Sequence, residues 1–193
     1  MINKVIESWN ELKEICNNCT ECELHRNRTN VVFGRGNVGA GVMLVGEGPG
    51  ADEDALGEPF VGRAGKLLDT LLCALEIGQD DIYIANIVKC RPPQNRVPTI
   101  HEARTCLGYL RNQVYLQNPT IIVCLGSTAA KYVLNKDVRI TQVRGTWIEK
   151  KGVYIMPTYH PAAVLRDDTK KIPLWEDFKK VKIKMEELCR LTQ

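Results

Sequence analysis

Four short apolar runs set the strongest constraint on the fold of this chain. They are VMLVG at 42–46, IYIAN at 82–86, TIIVCLG at 120–126 and VYIMPT at 153–158. Each is rich in β-branched residues and ends in or beside Gly, Asn or Pro, which is typical of a buried strand. Because helical segments separate them, we predict a mainly parallel four-stranded sheet that helices cover on both faces.

The helices follow from apolar side chains spaced three and four residues apart. This spacing appears in residues 5–16, 67–75 and 103–114. Thr99 followed by Glu102 predicts a capping box at the start of the last helix. In such folds ligands bind at the carboxyl ends of the parallel strands. We therefore expect function in three loops: GEGPGADED, NIVKCRPPQNR and TYHPAAVLR.

Size and composition narrow the class of protein. A chain of 193 residues has the size of one domain, and we expect residues 1–193 to form it. Its 44% hydrophobic and 25% charged residues argue against a fibre or a disordered chain. No apolar run approaches the roughly 18 residues of a membrane helix, so we expect a soluble monomer in the cytoplasm. The net charge of +3 is too small to indicate a nucleic-acid partner by itself.

The cysteines predict a metal site. Eight cysteines are many for a cytoplasmic chain, where disulfides are rare. Cys19 and Cys22 form a C-x2-C pair, and Cys90 and Cys106 form a C-x15-C pair, so four thiolates could join two distant segments. Cys16 offers a competing register, and four cysteines leave zinc and an iron–sulfur cluster both open. We expect the others to be small buried side chains: Cys73, Cys124 and Cys189.

Two glycine-rich segments lack the context of a phosphate-binding loop. Gly34, Gly36 and Gly39 match G-x-G-x-x-G, but this segment runs into a strand and opens no helix. The loop GEGPGADED follows a strand, yet its carboxylates would repel a phosphate. Glycine backbone with carboxylates alongside instead suits a neutral planar ligand and an oriented water.

Three segments together carry a resemblance to a known family: GEGPGADED with PFVG at 59–62, NIVKCRPPQNR at 86–96 and HPAAVLR at 160–166. In this order, and with the paired cysteines, they resemble the family 4 uracil-DNA glycosylases over most of the chain. The resemblance implies a three-layer α/β/α sandwich of the uracil-DNA glycosylase type. It also implies a structural 4Fe-4S cluster whose ligands are Cys19, Cys22, Cys90 and Cys106. Such an enzyme flips uracil out of single- or double-stranded DNA and hydrolyses its N-glycosidic bond, which leaves an abasic site.

The same resemblance assigns a uracil site to the strand ends. Phe60 would stack on the extruded base. The amide of Asn86 would pair with O4 and N3–H of uracil, a pattern that cytosine reverses. His160 would contact the uracil as negative charge develops on it.

The attacking water is harder to assign, because Gly48 stands where many members of the wider superfamily have an aspartate. Glu47 is our first candidate to orient the water, and Glu53 is the second. The implied catalytic residues are thus Glu47, Glu53 and His160. The implied uracil-binding residues are Glu47, Gly48, Phe60, Asn86 and His160.

The HPAAVLR loop is expected to handle the DNA. Leu165 would fill the gap in the base stack, and Arg166 would hold a phosphate. Asn95 and Arg96 are further candidates for DNA contact. Other basic residues near these loops could add contacts to the DNA backbone: Arg91, Arg144, Lys170 and Lys171. The chain lacks the basic insertion of a related subfamily that links covalently to uracil-DNA, so we expect plain hydrolysis.

Two alternatives stay open from the residues alone. An iron–sulfur electron carrier, or a zinc protein that binds nucleic acid, would need the cysteines but not the residues at the strand ends. A glycosylase of the same fold could instead prefer hypoxanthine or mismatched thymine. Measuring the release of these bases would distinguish it.

Overall fold

A six-stranded sheet organises the chain in the computed structural model, which describes residues 5–191. In chain order the strands are β1 (Arg35–Gly36), β2 (Val42–Gly46), β3 (Ile82–Asn86), β4 (Ile121–Leu125), β5 (Ile148–Lys150) and β6 (Val153–Thr158). In space they follow the order β1-β3-β2-β4-β6-β5. The central strands β3, β2, β4 and β6 are parallel, while β1 and β5 pair antiparallel at the two edges.

The four predicted strands are confirmed as β2, β3, β4 and β6. Every residue of β2, β3 and β4 is buried, as expected for strands with helices on both faces. The predicted number of strands was wrong, because β1 and β5 extend the sheet at its edges. They are two and three residues long and largely exposed, so they leave no recognisable pattern in the sequence.

The helices are α1 (Trp9–Asn17), α2 (Ala51–Leu56), α3 (Arg63–Ala74), α4 (Ile100–Gln117), α5 (Ser127–Leu134), α6 (Ile140–Val143), α7 (Pro161–Val164) and α8 (Lys171–Leu191). Short 3-10 turns lie at Glu23–Arg26, Gln79–Asp81, Pro93–Asn95 and Asp168–Lys170. Within residues 5–191, no helix is both long and apolar enough to cross a membrane.

Two helix starts test the sequence patterns. The predicted capping box is confirmed, since Thr99 Oγ1 accepts from Glu102 N at 3.2 Å and Glu102 Oε2 accepts from Thr99 N at 2.8 Å. The first helix begins later than predicted. Ser8 caps it, and Val5 lies outside it and is exposed, because the Ser8 hydroxyl accepts from Glu11 N and fixes the start at Trp9.

The two faces of the sheet bury separate hydrophobic clusters. Met43 and Val45 belong to the cluster that contains Leu12 of α1. Leu44, between them, belongs to the cluster that contains Phe178 of α8. Because successive side chains of a strand point to opposite faces, helices cover the sheet on both sides. The predicted three-layer α/β/α sandwich is confirmed.

A buried ion pair fixes the end of β6, just before His160. Asp177 of α8 is fully buried and accepts from Thr158 Oγ1 at 2.6 Å and from Arg144 Nε at 3.0 Å. Burial raises the pKa of Asp177, and the hydrogen bond from Thr158 and the charge of Arg144 oppose this rise. Arg144, which the sequence had offered for DNA contact, is engaged by this carboxylate.

Candidate active site and cysteine site

The carboxyl ends of the parallel strands open into one cavity of about 610 Å³. Its lining includes Glu47 after β2, Asn86 at the end of β3, Gly126 after β4 and His160 beyond β6. The sheet register explains this convergence, since Gly46 pairs with Asn86 across β2 and β3. The volume lies within the usual range of small-molecule sites.

Glu47 is held by a residue that the sequence analysis missed. Thr128, near the start of α5, donates its hydroxyl to Glu47 Oε2 at 2.5 Å. The threonine is buried and lies 81 positions away in the sequence, so no local motif joins the two residues. Gly48 follows, and a Cβ there would lie 2.7 Å from Val88 Cγ2, so a glycine allows the two loops to approach closely.

Glu53 lines the same cavity, but its carboxylate holds backbone groups. Oε2 accepts from Gly50 N at 3.0 Å, and Oε1 accepts from Val61 N at 3.1 Å and Gly62 N at 2.9 Å. These bonds join the start of α2 to the loop that carries Phe60. Glu47 is therefore the better placed of the two carboxylates for contact with water.

Phe60 is buried at the cavity in an unusual backbone conformation. Its φ of 57° lies in the left-handed region, which is costly for a bulky residue. Gly65 makes room for it, since a Cβ there would lie 1.8 Å from Phe60 O. The Phe60 ring lies against the His160 ring, with centroids 5.4 Å apart and planes inclined by 27°.

Asn86 has an unsatisfied amide oxygen. The residue is 2% exposed, and within residues 5–191 its Oδ1 has no hydrogen-bond partner. A Cβ at Gly46 would lie 2.3 Å from this oxygen, so the glycine leaves space for it. An unpaired buried amide oxygen costs about 1–3 kcal/mol, and a ligand in the cavity could satisfy it.

His160 presents a neutral N–H donor. Ala162 N donates to His160 Nδ1 at 3.1 Å, so the ring proton lies on Nε2. Burial lowers the pKa of His160 to about 4, and the positive charge of Arg166 contributes to this fall. The imidazole is therefore neutral near pH 7 and can donate from Nε2.

Of the residues predicted to contact DNA, some are exposed or line the cavity, and others form hydrogen bonds with protein side chains. Leu165 is 42% exposed at the end of α7, and Arg166 lines the cavity. Asn95 Oδ1 accepts from Arg91 Nε at 2.8 Å. The guanidinium of Arg96 makes two bonds with the buried Glu102, of 2.8 and 2.7 Å, and these hold the pKa of Glu102 at about 2.

The four paired cysteines lie together away from this cavity. With Cys16, they line a small cavity of about 10 Å³: Cys19, Cys22, Cys90 and Cys106. Within residues 5–191, no three metal-binding side chains come close enough to hold a single ion as they stand. Cys124 is buried as expected, whereas Cys73 and Cys189 are exposed, because their side chains lie on the outer faces of α3 and α8.

Two N–H donors contact the cysteine sulfurs, and the sequence analysis missed both. Arg28 Nη1 donates to Cys90 Sγ at 3.3 Å, and Lys89 N donates to Cys106 Sγ at 3.3 Å. Burial raises the pKa of Cys90, and it raises the pKa of Cys106 to about 12. Ionised thiolates at these positions would thus need a nearby cation or these N–H donors.

The chain matches one family model and is similar to several type-4 uracil-DNA glycosylases. A family model described as the uracil DNA glycosylase superfamily matches residues 33–180. The type-4 uracil-DNA glycosylase of Thermotoga maritima is 48% identical over 168 residues, which cover 85% of this chain and 88% of that protein. The type-4 enzyme of Archaeoglobus fulgidus is 42% identical over 184 residues, which cover 91% of this chain and 92% of that protein. The type-4 enzyme of Sulfurisphaera tokodaii is 42% identical, over 92% of this chain and 84% of its own.

Proposed function

The chain belongs to the uracil DNA glycosylase superfamily, and from this premise we propose that it is a DNA-repair enzyme that hydrolyses the N-glycosidic bond of uracil in DNA. It flips the nucleotide into the cavity, releases free uracil and leaves an abasic site. The observation that carries the proposal is the unpaired amide oxygen of Asn86, buried at the cavity. A base with an N–H next to a carbonyl would satisfy the whole amide.

Asn86 would read the edge of the base. Its Oδ1 accepts from uracil N3–H while its amide nitrogen donates to O4. Cytosine has an acceptor at N3 and an amino group at C4, so its pattern opposes that of the amide. Phe60 would stack on the base, and the close backbone at Gly46 and Gly48 leaves the space that a planar ring needs.

His160 would stabilise the leaving group. Breaking the glycosidic bond leaves negative charge on the uracil and positive charge on the sugar. A neutral imidazole whose Nε2–H points at the base donates to this developing charge. The bond from Ala162 N to Nδ1 supports the role, because it selects the required tautomer.

Glu47 would orient the water that attacks the sugar carbon. Thr128 holds its Oε2, and Oε1 then accepts from the water. The carboxylate also favours the cationic sugar electrostatically. Glu53 acts mainly through the loop of Phe60, which its three hydrogen bonds with backbone N–H groups support.

The loop after α7 would extrude the nucleotide. Leu165 is an exposed apolar side chain at the end of α7, next in sequence to Arg166, which lines the cavity. It is suited to fill the gap in the stack. Arg166 would bind a phosphate beside it. DNA contact by Asn95 and Arg96 stays a prediction. The monomeric state and the cytoplasmic location also stay predictions.

The cysteine site fits a 4Fe-4S cluster with Cys19, Cys22, Cys90 and Cys106 as ligands. Four thiols around one cavity, with N–H donors on two of the sulfurs, are the donor set that such clusters use. When bound, the cluster supplies a structural cross-link and no step of the hydrolysis. It would join the segment after α1 to α4 and to the loop that precedes it.

Uracil release is the direct test of this function. Purified protein is incubated with oligonucleotides that contain uracil, hypoxanthine, mismatched thymine or cytosine, and alkali then cleaves the abasic sites. We expect cleavage with uracil. The Asn86→Asp variant should lose uracil selectivity, because a carboxylate keeps acceptors but lacks the amide donor. Faster release of hypoxanthine or thymine than of uracil would redirect the proposal to another base, and release of none would contradict it.

Replacing Thr128 tests the orientation of Glu47. Thr128→Val removes the hydroxyl at nearly constant volume, so the single-turnover rate should fall roughly 10-fold while binding of uracil-DNA stays close to that of the parent. Thr128→Ser should restore much of the rate, since it keeps the donor. Equal rates for the valine variant and the parent would exclude this positioning role.

Iron content tests the cysteine ligands. Cys106→Ser should lower both iron content and melting temperature, because a ligand is lost from a cross-link between distant segments. Cys73→Ser, at an exposed position on α3, is the matched control and should change neither. Full iron content in Cys106→Ser would contradict the assignment, and loss of iron in Cys16→Ser would favour the alternative register.

A further inference from the structure

Lys89 is a lysine whose side chain is buried in the protein interior. It is among the largest fully buried side chains, with 1% of its surface exposed. It lies between Asn86, at the end of β3, and Cys90 of the cysteine site. A buried ammonium is strongly destabilising unless hydrogen bonds and an opposite charge compensate it.

Its hydrogen bonds are to neutral acceptors. Nζ donates to the main-chain carbonyl oxygen of Asn86 at 2.9 Å and to the side-chain Oε1 of Gln113 at 2.6 Å. Gln113 is itself fully buried, and its Nε2 donates to Phe33 O at 2.9 Å, which turns its oxygen toward Lys89. These acceptors satisfy two donors of the ammonium but supply no counter-charge.

The cysteine site could supply the counter-charge once its thiols are ionised. In the part of the chain that the structure describes, no carboxylate forms an ion pair with Lys89. Lys89 lines the cysteine cavity, and its backbone N–H donates to Cys106 Sγ at 3.3 Å. Thiolates that hold a cluster would supply a negatively charged partner for this ammonium.

We infer that Lys89 is a positioning residue that balances the charge of the loaded cysteine site and, with the same ammonium, holds the carbonyl of Asn86. The inference rests on the proposed 4Fe-4S cluster and on the uracil-reading role of Asn86. It couples the two sites, since whatever loosens the cysteine site releases Lys89 and with it the end of β3. Such coupling is reciprocal, so a ligand at Asn86 also stabilises the loaded cysteine site.

Lys89→Met tests the inference in the loaded protein, since methionine fills a similar volume without charge. Iron loss to a chelator is followed by the visible absorption of the cluster. Uracil binding is measured as the inhibition, by free uracil, of uracil release from DNA. We expect iron loss to be roughly 10-fold faster, as for other groups that support metal ligands, and inhibition by uracil to be weaker. Lys151→Met removes the same charge from an exposed turn and should behave as the parent.

Gln113→Leu separates charge from packing. It removes a neutral acceptor of the ammonium but keeps the charge and the bond to Asn86, so iron loss and uracil inhibition should stay near those of the parent. If Gln113→Leu loses iron as fast as Lys89→Met, the balancing role is wrong. It is also wrong if Lys89→Met matches the parent in both measurements. A parent protein without iron would contradict the cluster itself, and with it this inference.

The unmodified protein gives a second test should Lys89→Met fail to fold. Saturating free uracil should slow the loss of iron from the parent holoprotein, because it stabilises the end of β3 that Lys89 holds. Cytosine at the same concentration is the control for an unspecific effect of a pyrimidine, because its donor and acceptor pattern opposes that of the Asn86 amide. Equal rates of iron loss with uracil and with cytosine would overturn the coupling.

Discussion

The parallel register of the four central strands is the constraint on which the rest of the site depends. It pairs Gly46 with Asn86 and Leu125 with Thr158, so the chain leaves these strands at one edge of the sheet. Residues far apart in the sequence, such as Glu47 and His160, therefore meet at one cavity. A slip of one residue in β3 would turn the side chain of Asn86 to the other face. Hydrophobic burial on both faces of the sheet stabilises this register against such a slip.

Carboxylates that are buried or half-buried then fix the loops that the register brings together. Glu53 accepts from one backbone N–H at the start of α2 and from two just after Phe60. Glu102 binds Arg96 and the start of α4, and Asp177 binds Thr158 and Arg144. Several charge-assisted bonds at each acid offset the cost of its burial. These bonds satisfy the carboxylates before any ligand binds, whereas the amide oxygen of Asn86 has no hydrogen-bond partner within residues 5–191. Lys89 contacts both sites, since its Nζ donates to the main-chain carbonyl of Asn86 and its backbone N–H donates to Cys106 Sγ.

The sequence predicts those features that follow from local patterns. The buried runs located the central strands, the Thr99–Glu102 pair located the start of α4, and Gly, Pro and Asn at the strand ends indicated which loops line the cavity. Contacts between distant residues were not predictable. Neither the bond from Thr128 to Glu47 nor the burial of Lys89 has a local signal, and basic loop residues expected to face DNA pair with acids from other elements. The edge strands escaped notice because they are too short to show an alternation.

In the proposed mechanism, residues at the strand ends perform the chemistry, while the exposed loop after α7 opens the DNA. The most direct measurement is the single-turnover rate of uracil release from single-stranded DNA, where no base pair must be broken. His160→Ala should lose at least about 10-fold there, because a donor to developing negative charge is removed, whereas Leu165→Ala should approach the rate of the parent. A His160→Ala variant as fast as the parent on single strands, or an equal deficit for both variants, would contradict the account.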